Sequence, residues 1–161
     1  MSFYSGVPDS LTAPLIKTIE DVSSIDADIT MLSAANEGIG VAHCIGHFLA
    51  TGNPGVAYMQ NAGLGNALNP IISIAHKTVF NIPLIFLIGW RGEPGLEDEP
   101  QHQHQGKITL DLLELMGSKT EVINNNDNLN EALLKLENHS LSIDQNIFTF
   151  LFSKRAFKEN Q

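Results

Sequence analysis

The sequence contains little cysteine and few basic residues. Cys44 is the only cysteine among 161 residues, so no disulfide can form within the chain, and a reducing compartment such as the cytoplasm is expected. Its position in the middle of a predicted helix indicates a buried, unreactive thiol. Nine Lys and Arg residues stand against 18 Asp and Glu, a formal net charge of −9. Nucleic acids and anionic membranes attract clustered basic side chains, so neither is expected as a partner.

Long hydrophobic runs are also missing. The longest, IPLIFLIGW from Ile82, is too short to span a bilayer and is typical of a strand that is buried on both faces. The first ten residues, MSFYSGVPDS, lack the charged start and the apolar stretch of a signal peptide. With 43% apolar and 17% charged residues, the composition is that of a globular chain, and the length suits one domain.

Segments with helical and strand-like spacing alternate along the chain. Such alternation predicts βαβ units and a parallel sheet. We therefore expect one doubly wound α/β domain over residues 1–153, with about six strands and helices on both faces. A polar tail over 154–161 follows, either a free end or the start of a linker. The predicted strands are 28–34, 55–60, 82–89, 119–123 (an edge strand) and 145–153; the predicted helices are 11–22, 36–51, 63–77 with a kink or restart at Pro70, 107–117, and one from about Asn128.

Polar clusters follow several of the predicted strands. An Asn-Glu pair at 36–37 follows the first of them, a Gln-Asn pair at 60–61 follows the next, and the polar stretch 90–93 follows the third. The segment SGVPDS, residues 5–10, precedes the first helix and can join them. In doubly wound sheets, ligands bind beyond the carboxyl ends of the strands. The sequence therefore predicts a ligand site at that edge of the sheet.

Glu37 lies where a strand-like run ends and a helical pattern begins, in the segment LSAANEGIGVAHCIGHFLATG. One interpretation is structural: a negative charge is favourable at a helix start, and Asn36 would cap the helix. The other is chemical. A carboxyl group in an apolar crevice can remain protonated at neutral pH and then donates a hydrogen bond to a ring nitrogen. The residues alone leave both interpretations open.

Two further segments each allow a chemical and a structural interpretation. NAGLGN, residues 61–66, is a Gly-rich turn that could cradle phosphate or simply pack a strand against a helix. It is neither a P-loop nor a full dinucleotide motif. The predicted polar loop over 90–105 contains Arg91, whose planar fork suits paired anionic oxygens, and two histidines, His102 and His104. Long loops in compact domains are usually functional, although a solvated surface excursion is the alternative.

The segments GVPDS, AANEG, YMQNAGLGN and IGWRGEPGLEDEPQH, taken together, resemble the N-terminal half of phosphonopyruvate decarboxylases. The alpha subunit of sulfopyruvate decarboxylases is also similar. Both belong to the thiamine diphosphate-dependent decarboxylases. The resemblance extends from about Phe3 to Gly117 and implies the α/β fold of the family's pyrimidine domain. The joint set of segments is specific, whereas any one of them alone is not.

The resemblance implies a role for each residue that matches a family motif. Glu37 matches the glutamate that hydrogen-bonds the aminopyrimidine of the cofactor and supports proton removal from its thiazolium carbon, so that a 2-oxo acid can be decarboxylated. The residues expected to contact the cofactor are Pro8, Glu37, Gly63 and Asn66. Those expected to contact the substrate are Asp9, Ser10, Gln60, Asn61, Arg91 and His102.

The sequence departs from the family in one large respect. Family members carry a Gly-Asp-Gly motif, followed later by an Asn, that binds magnesium and the diphosphate of the cofactor. This chain has no Gly-Asp-Gly, so we expect no metal ligands in it. Binding of thiamine diphosphate would need Mg²⁺ held by a second subunit or by a missing C-terminal half. The chain is therefore expected to form part of a homo- or hetero-oligomer.

The implied reaction is the decarboxylation of phosphonopyruvate to phosphonoacetaldehyde and carbon dioxide. Two alternatives remain open from the sequence. One is the alpha subunit of a sulfopyruvate decarboxylase, which would release sulfoacetaldehyde. The other is a non-catalytic domain of the same fold that binds a small anion or a protein. The two acids differ only in their anionic head group, and the residues do not distinguish them.

Overall fold

The computed structural model describes residues 1–139 and 146–157, and a sheet of six parallel strands lies at the centre of this part of the chain. The strands are β1 (Phe3–Gly6), β2 (Thr30–Ser33), β3 (Gly55–Gln60), β4 (Leu84–Gly89), β5 (Ser118–Ile123) and β6 (Ile147–Phe152). Their order in the sheet is β2-β1-β3-β4-β6-β5. The predicted α/β class with a doubly wound parallel sheet is confirmed, and β5 is an edge strand as predicted.

Five α-helices of the described chain pack on the two faces of this sheet. They are α1 (Ala13–Ile25), α2 (Glu37–Thr51), α3 (Leu64–Pro70), α4 (Pro100–Leu115) and α5 (Asn126–His139). Helices α2, α3 and α4 contribute to the apolar cluster on one face, and α1 and α5 contribute to the cluster on the other. In the residues that the structure describes, no helix combines the length and the apolar character that crossing a membrane requires.

Strand β1 is the one strand of the sheet that the sequence did not predict. It has only four residues, too few for a period of two to stand out. It nevertheless occupies an interior position, paired with β2 and β3. The strand order reverses here, since β2 lies on one side of β1 and the later strands lie on the other. Such a reversal opens a crevice at the carboxyl ends of the two central strands, where doubly wound proteins bind ligands.

Helix α4 corrects the prediction of a loop over residues 90–105. The helix begins at Pro100, so His102 and His104 lie in its first turns. Proline is favourable at the first position of a helix, because its missing N–H would have no helical partner there. The loop that remains spans residues 90–99.

The helix predicted over residues 63–77 is divided into three pieces. A 3₁₀ turn (Asn61–Gly63) leads into α3, and a π-helix (Ile71–Ala75) follows it. Pro70 is the last residue of α3, which agrees with the predicted restart there, since proline cannot donate a backbone hydrogen bond. The short 3₁₀ turn lies directly after β3, at the edge where the ligand site is predicted.

The core lies on both faces of the sheet, and β4 is its central element. Leu84, Phe86 and Ile88 join the cluster beneath α2, α3 and α4, whereas Ile85 and Leu87 join the opposite one. The prediction that this strand is buried on both faces is therefore confirmed. Burying each large apolar side chain stabilises the folded state by roughly 1.5–3 kcal/mol. The long buried strands therefore fix the positions of their own carboxyl ends, where the ligand site is predicted.

Two smaller predictions concern Cys44 and the polar tail. Cys44 is fully buried in α2, and burial raises the pKa of its thiol to about 12. The predicted burial of this thiol is thus confirmed. Residues 154–157 of the predicted tail form a turn in which Phe157 stacks on Phe152, with ring centroids 5.5 Å apart. The rest of that tail, 158–161, lies outside the described residues.

The loop over 90–99 packs against α4 through two glycines. A Cβ on Gly106 would lie 1.8 Å from the Gly92 carbonyl oxygen, and one on Gly92 would lie 1.9 Å from the His102 carbonyl oxygen. Trp90 donates its indole N–H to the Gly106 carbonyl oxygen over 2.9 Å. Direct backbone contact therefore fixes the loop on the helix, and no side chain larger than hydrogen fits between them.

We expect Gly106→Ala to lower the free energy of unfolding by about 1–3 kcal/mol, because the added methyl group forces the loop and α4 apart. Gly46→Ala is the matched control, since Gly46 also lies inside a helix and no neighbouring element lies within 4 Å of its Cβ position. That change should raise the free energy of unfolding by about 0.5–1 kcal/mol. Urea denaturation measures both, and equal effects would show that the loop is not fixed on α4.

Candidate active site

The carboxyl ends of β1, β3 and β4 bring most of the predicted site residues to one edge of the sheet. Gly6 pairs with Tyr58, and Gln60 pairs with Gly89, so the segments that follow the three strands emerge side by side. Two hydrogen-bonded groups form there. One surrounds Glu37, and the other connects the segment after β1 to the loop over 90–99. They meet at the 3₁₀ turn, which contributes a residue to each.

Glu37 is the first residue of α2, and its side chain is held by the turn and helix that follow β3. Asn36 caps α2 by accepting a hydrogen bond from the Ile39 N–H over 3.0 Å, as the structural interpretation predicts. The Glu37 carboxylate takes no part in this cap. Its Oε2 accepts a hydrogen bond from Asn66 Nδ2 over 2.7 Å. A Cβ on Gly63 would lie 2.3 Å from Glu37 Cγ, so the side chain rests directly on the 3₁₀ turn.

The other carboxylate oxygen of Glu37, Oε1, has no hydrogen-bond donor among the residues that the structure describes. A glutamate with one oxygen held and the other open can bind one more donor or, when protonated, can donate through it. The two predicted cofactor contacts on this side, Gly63 and Asn66, both touch Glu37 itself. The arrangement goes beyond what a helix-start charge requires, because it fixes the Glu37 carboxylate against the residues that follow β3.

Asp9 connects the ends of the three central strands. It follows β1, and only 6% of it is exposed. Its carboxylate accepts hydrogen bonds from Gln60 Nε2 over 3.1 Å and from the Leu11 N–H over 3.2 Å. Gly89 makes room for it at the end of β4, since a Cβ there would lie 2.2 Å from Asp9 Oδ2. Little of this carboxylate is therefore open to a ligand, whereas Gln60 remains half-buried at the crevice.

Asn61 is fully buried and connects three elements. Its Nδ2 donates to the Arg91 carbonyl oxygen over 2.9 Å and to Thr109 Oγ1 over 2.8 Å. Its Oδ1 accepts from the Arg91 N–H over 3.1 Å. These bonds join the 3₁₀ turn, the loop over 90–99 and α4. The predicted contact of Asn61 with substrate stays a prediction; in this structure the residue has 0% exposure, and its amide bonds the Arg91 backbone.

Arg91 is the cation of the second group. Its Nε donates to Asp98 Oδ2 over 2.8 Å, and its Nη2 donates to Asp98 Oδ1 over 2.6 Å. Its Nη1 donates to Ser10 Oγ over 3.2 Å. Hydrogen bonding to Arg91 holds the pKa of the Asp98 carboxyl well below its usual range, and Asp98 raises the pKa of Arg91. Both side chains are therefore charged throughout the neutral range.

Pro8 and His102 lie at the margin of these groups. Pro8 is exposed on the segment between β1 and α1. His102 is half-buried in the first turn of α4, and its ring makes no hydrogen bond with any of residues 1–139 and 146–157. Their predicted contacts with cofactor and substrate stay predictions.

Two residues of the second group were missed from the sequence. Asp98 lies seven positions after Arg91, and several other acids nearby in the loop hide the pairing. Thr109 is a polar residue on the buried side of α4, where it also donates to the Gln105 carbonyl oxygen over 2.7 Å. The available signal for Thr109 was its helical spacing of four and seven positions from the apolar residues Leu113 and Met116. For Asp98 it was an acid near an arginine in a Gly- and Pro-containing loop.

A comparison with known protein families matches residues 2–115 to the thiamine pyrophosphate enzymes, at their N-terminal TPP binding domain. The matched segment ends at the last residue of α4. It therefore contains every residue of both hydrogen-bonded groups.

In the described residues, no three His, Cys, Asp or Glu side chains lie close enough to share a metal ion.

Curated relatives carry two names. A phosphonopyruvate decarboxylase of Streptomyces viridochromogenes is 40% identical over 119 residues, which are 74% of this chain and 28% of that protein. The sulfopyruvate decarboxylase subunit alpha of Methanococcus maripaludis is 34% identical over 113 residues, 68% of this chain and 65% of that subunit. The subunit of the same name from Methanocaldococcus jannaschii is 36% identical over 93 residues, 58% of this chain and 51% of that subunit.

The chain spans about a quarter of the length of the phosphonopyruvate decarboxylases that it matches. The family resemblance that the sequence indicates is confirmed by both kinds of match. Since the family match covers residues 2–115 of 161, the chain belongs to the thiamine pyrophosphate enzymes, where it corresponds to the N-terminal TPP-binding domain.

Proposed function

We propose that this chain is the pyrimidine-binding half of a thiamine diphosphate-dependent decarboxylase that acts on an anionic 3-substituted pyruvate. The observation that carries the proposal is the placement of Glu37, with Oε2 held by Asn66 and Oε1 open, in a chain of this family. Phosphonopyruvate is the first candidate substrate, with phosphonoacetaldehyde and carbon dioxide as products. The name of the Streptomyces relatives supports this choice.

The groups around Glu37 fit the pyrimidine ring of the cofactor. Oε1 is free to meet a ring nitrogen, and Asn66 fixes the carboxylate from its other side. Gly63 leaves the space in which the Glu37 side chain lies. When bound, thiamine diphosphate stabilises the negative charge that develops as carbon dioxide leaves a 2-oxo acid. The contribution of Glu37 is to exchange a proton at the ring nitrogen, which is general acid–base chemistry.

Arg91 would bind the anionic substrate at the other side of the 3₁₀ turn. Guanidinium groups match pairs of anionic oxygens. Ser10 is exposed beside it and would contact the same molecule, as would Gln60 at the crevice. Asp9 is nearly buried and bonded to Gln60, so it would act by orienting that amide.

A partner would complete the active site. Mg²⁺ and the diphosphate would be held by a second subunit, or by a further domain, that carries the Gly-Asp-Gly motif. Asn66 is exposed and Glu37 is only half-buried in this chain, so a surface from elsewhere could cover them. Residues of the described chain supply the pyrimidine side alone. The assembly would be a homo- or hetero-oligomer in the cytoplasm.

Sulfopyruvate is the second candidate substrate. The observation in its favour is the match to sulfopyruvate decarboxylase alpha subunits, two of which are more than 30% identical to this chain. Such an enzyme would release sulfoacetaldehyde. Turnover of both acids by the chain together with its partner separates the two candidates, and turnover of neither favours a non-catalytic domain.

Glu37→Gln should lower the decarboxylation rate of the assembled enzyme by about 10²–10⁴-fold or more. Glutamine has nearly the same shape and can still donate a hydrogen bond, but it cannot exchange a proton with the ring nitrogen. If Glu37 were only a helix-start residue, the change would cost about 0.3–1 kcal/mol of stability and would leave turnover nearly unaltered. The rate and the thermal midpoint of the same variant therefore separate the two interpretations.

Glu121→Gln serves as the control for that experiment. Glu121 lies on edge strand β5 and pairs with Lys135 over 2.8 Å, away from the carboxyl ends of the central strands. Its loss should leave turnover unchanged. Near-normal turnover of Glu37→Gln in the complete complex would show that the catalytic assignment is wrong.

The isolated chain should bind thiamine diphosphate weakly or not at all, even with Mg²⁺ present. The reason is that the described residues offer the pyrimidine side of the site and no metal-binding cluster. Isothermal titration calorimetry of the lone chain, and then of the chain with its partner, measures the difference. Tight binding by the lone chain would mean that this chain also holds the diphosphate.

A further inference from the structure

We propose that Asp98 is a positioning residue for the substrate: it occupies one edge of the Arg91 guanidinium and leaves the opposite side, next to Ser10, for an anionic head group. This inference rests on the proposed function, because it concerns the same crevice and the same class of substrate. It assigns a role to a residue for which the sequence predicts none.

Asp98 is built into the loop over 90–99 and is not a solvated surface acid. Its side chain is only 4% exposed. The carboxylate accepts two hydrogen bonds from Arg91. It accepts two more from the backbone N–H groups of Gly92 and Glu99, each over 2.9 Å. Four donors fill the usual capacity of a carboxylate, so Asp98 has no room for a ligand and its role is to hold its neighbours.

The pairing determines which part of Arg91 remains available. Of the five N–H groups of a guanidinium, Asp98 takes two, on Nε and Nη2, and Ser10 takes one, on Nη1. Two N–H groups are left, one on Nη1 and one on Nη2. A phosphonate, sulfonate or carboxylate offers oxygens that two such donors can bind together. In the proposal, these two groups bind the oxygens of one anionic head group.

Hydrogen bonds hold both the backbone and the side chain of Arg91. Asn61 bonds both its carbonyl oxygen and its N–H, and Asp98 holds the end of the side chain. An arginine side chain that is not held by other residues loses much rotamer freedom when it binds a ligand. Because Arg91 is already ordered before substrate arrives, that loss does not weaken binding, and the donors are oriented in advance.

The alternative is that Asp98 only ties the loop together through Gly92 and Glu99. In that case removal of the carboxylate would disturb the whole crevice and would affect every substrate alike. A positioning role makes a narrower prediction, because only substrates with an anionic group at the 3-position use the free edge of Arg91. The dependence on the head group therefore distinguishes the two roles.

The test is Asp98→Asn in the enzyme assembled from this chain and its partner. We expect KM for phosphonopyruvate or 3-sulfopyruvate to rise about tenfold to a hundredfold, with a much smaller change in kcat. The kinetics of pyruvate, which lacks the head group, should stay near those of the unaltered enzyme. Asp21→Asn is the matched control, since it also removes an aspartate from an ion pair, with Lys17 on the exposed surface of α1, and it should change nothing.

A double-mutant cycle with Arg91→Lys strengthens the test. If Asp98 acts through Arg91, adding Asp98→Asn to Arg91→Lys should raise KM no further, because the fork that Asp98 holds is already gone. Independent effects of the two changes would overturn the proposal. So would an equal loss for pyruvate and the substituted acids together with a lowered thermal midpoint, which is the signature of a disturbed loop.

A measurement on the whole chain alone separates this proposal from the proposed function. In nitrogen-15 NMR spectra, the Arg91 Nε–H should exchange slowly with water, and Asp98→Asn should make it exchange fast while the backbone spectrum is retained. If the assembly decarboxylates no 2-oxo acid, the proposed function fails, but fast exchange in the variant still supports the hold of Asp98 on Arg91. Unchanged exchange in the variant overturns it.

Discussion

The buried amide of Asn61 is the interaction on which the candidate site depends. It has no exposure and bonds the Arg91 backbone twice and Thr109 once. Leaving a buried polar group without a partner costs about 1–3 kcal/mol, so the 3₁₀ turn, the loop after β4 and α4 stay together. The Glu37 side chain packs on Gly63 of the same turn. One short turn therefore positions both the proposed catalytic carboxylate, Glu37, and the arginine that is proposed to bind the substrate, Arg91.

The charges of the site favour the partner that the proposed function includes. Three carboxylates, those of Glu37, Asp9 and Asp98, lie in the two hydrogen-bonded groups together with one guanidinium, that of Arg91. Arg91 is already paired with Asp98, and an anionic substrate or a diphosphate needs further positive charge nearby. A magnesium ion held by another domain would supply it. In the proposed function, this chain would orient the reacting groups and the partner would balance their charge.

Local sequence signals were enough to predict most of the fold. The apolar run from Ile82 predicted a strand buried on both faces, because few other structures bury such a run in a chain of this size. Asn36 predicted the start of α2, since capping depends on residues next to each other in the sequence, and the helical spacing predicted its end at residue 51. Strand β1 was missed because four residues carry no clear period. The start of α4 was missed because residues 100–106, PQHQHQG, are polar and carry no apolar stripe.

The sequence by itself determined the fold class and the candidate residues that follow the central strands, since both depend on patterns within short segments. The family resemblance also came from such segments. Only the tertiary structure decided what each polar group bonds. In the folded chain, the Arg91 guanidinium donates to Asp98, and Asn61 is buried. Asn66 donates to Glu37, which lies 29 positions away in the sequence. Hydrogen bonds act over about 3 Å, so partners from separate elements become known only when the packed sheet brings them together.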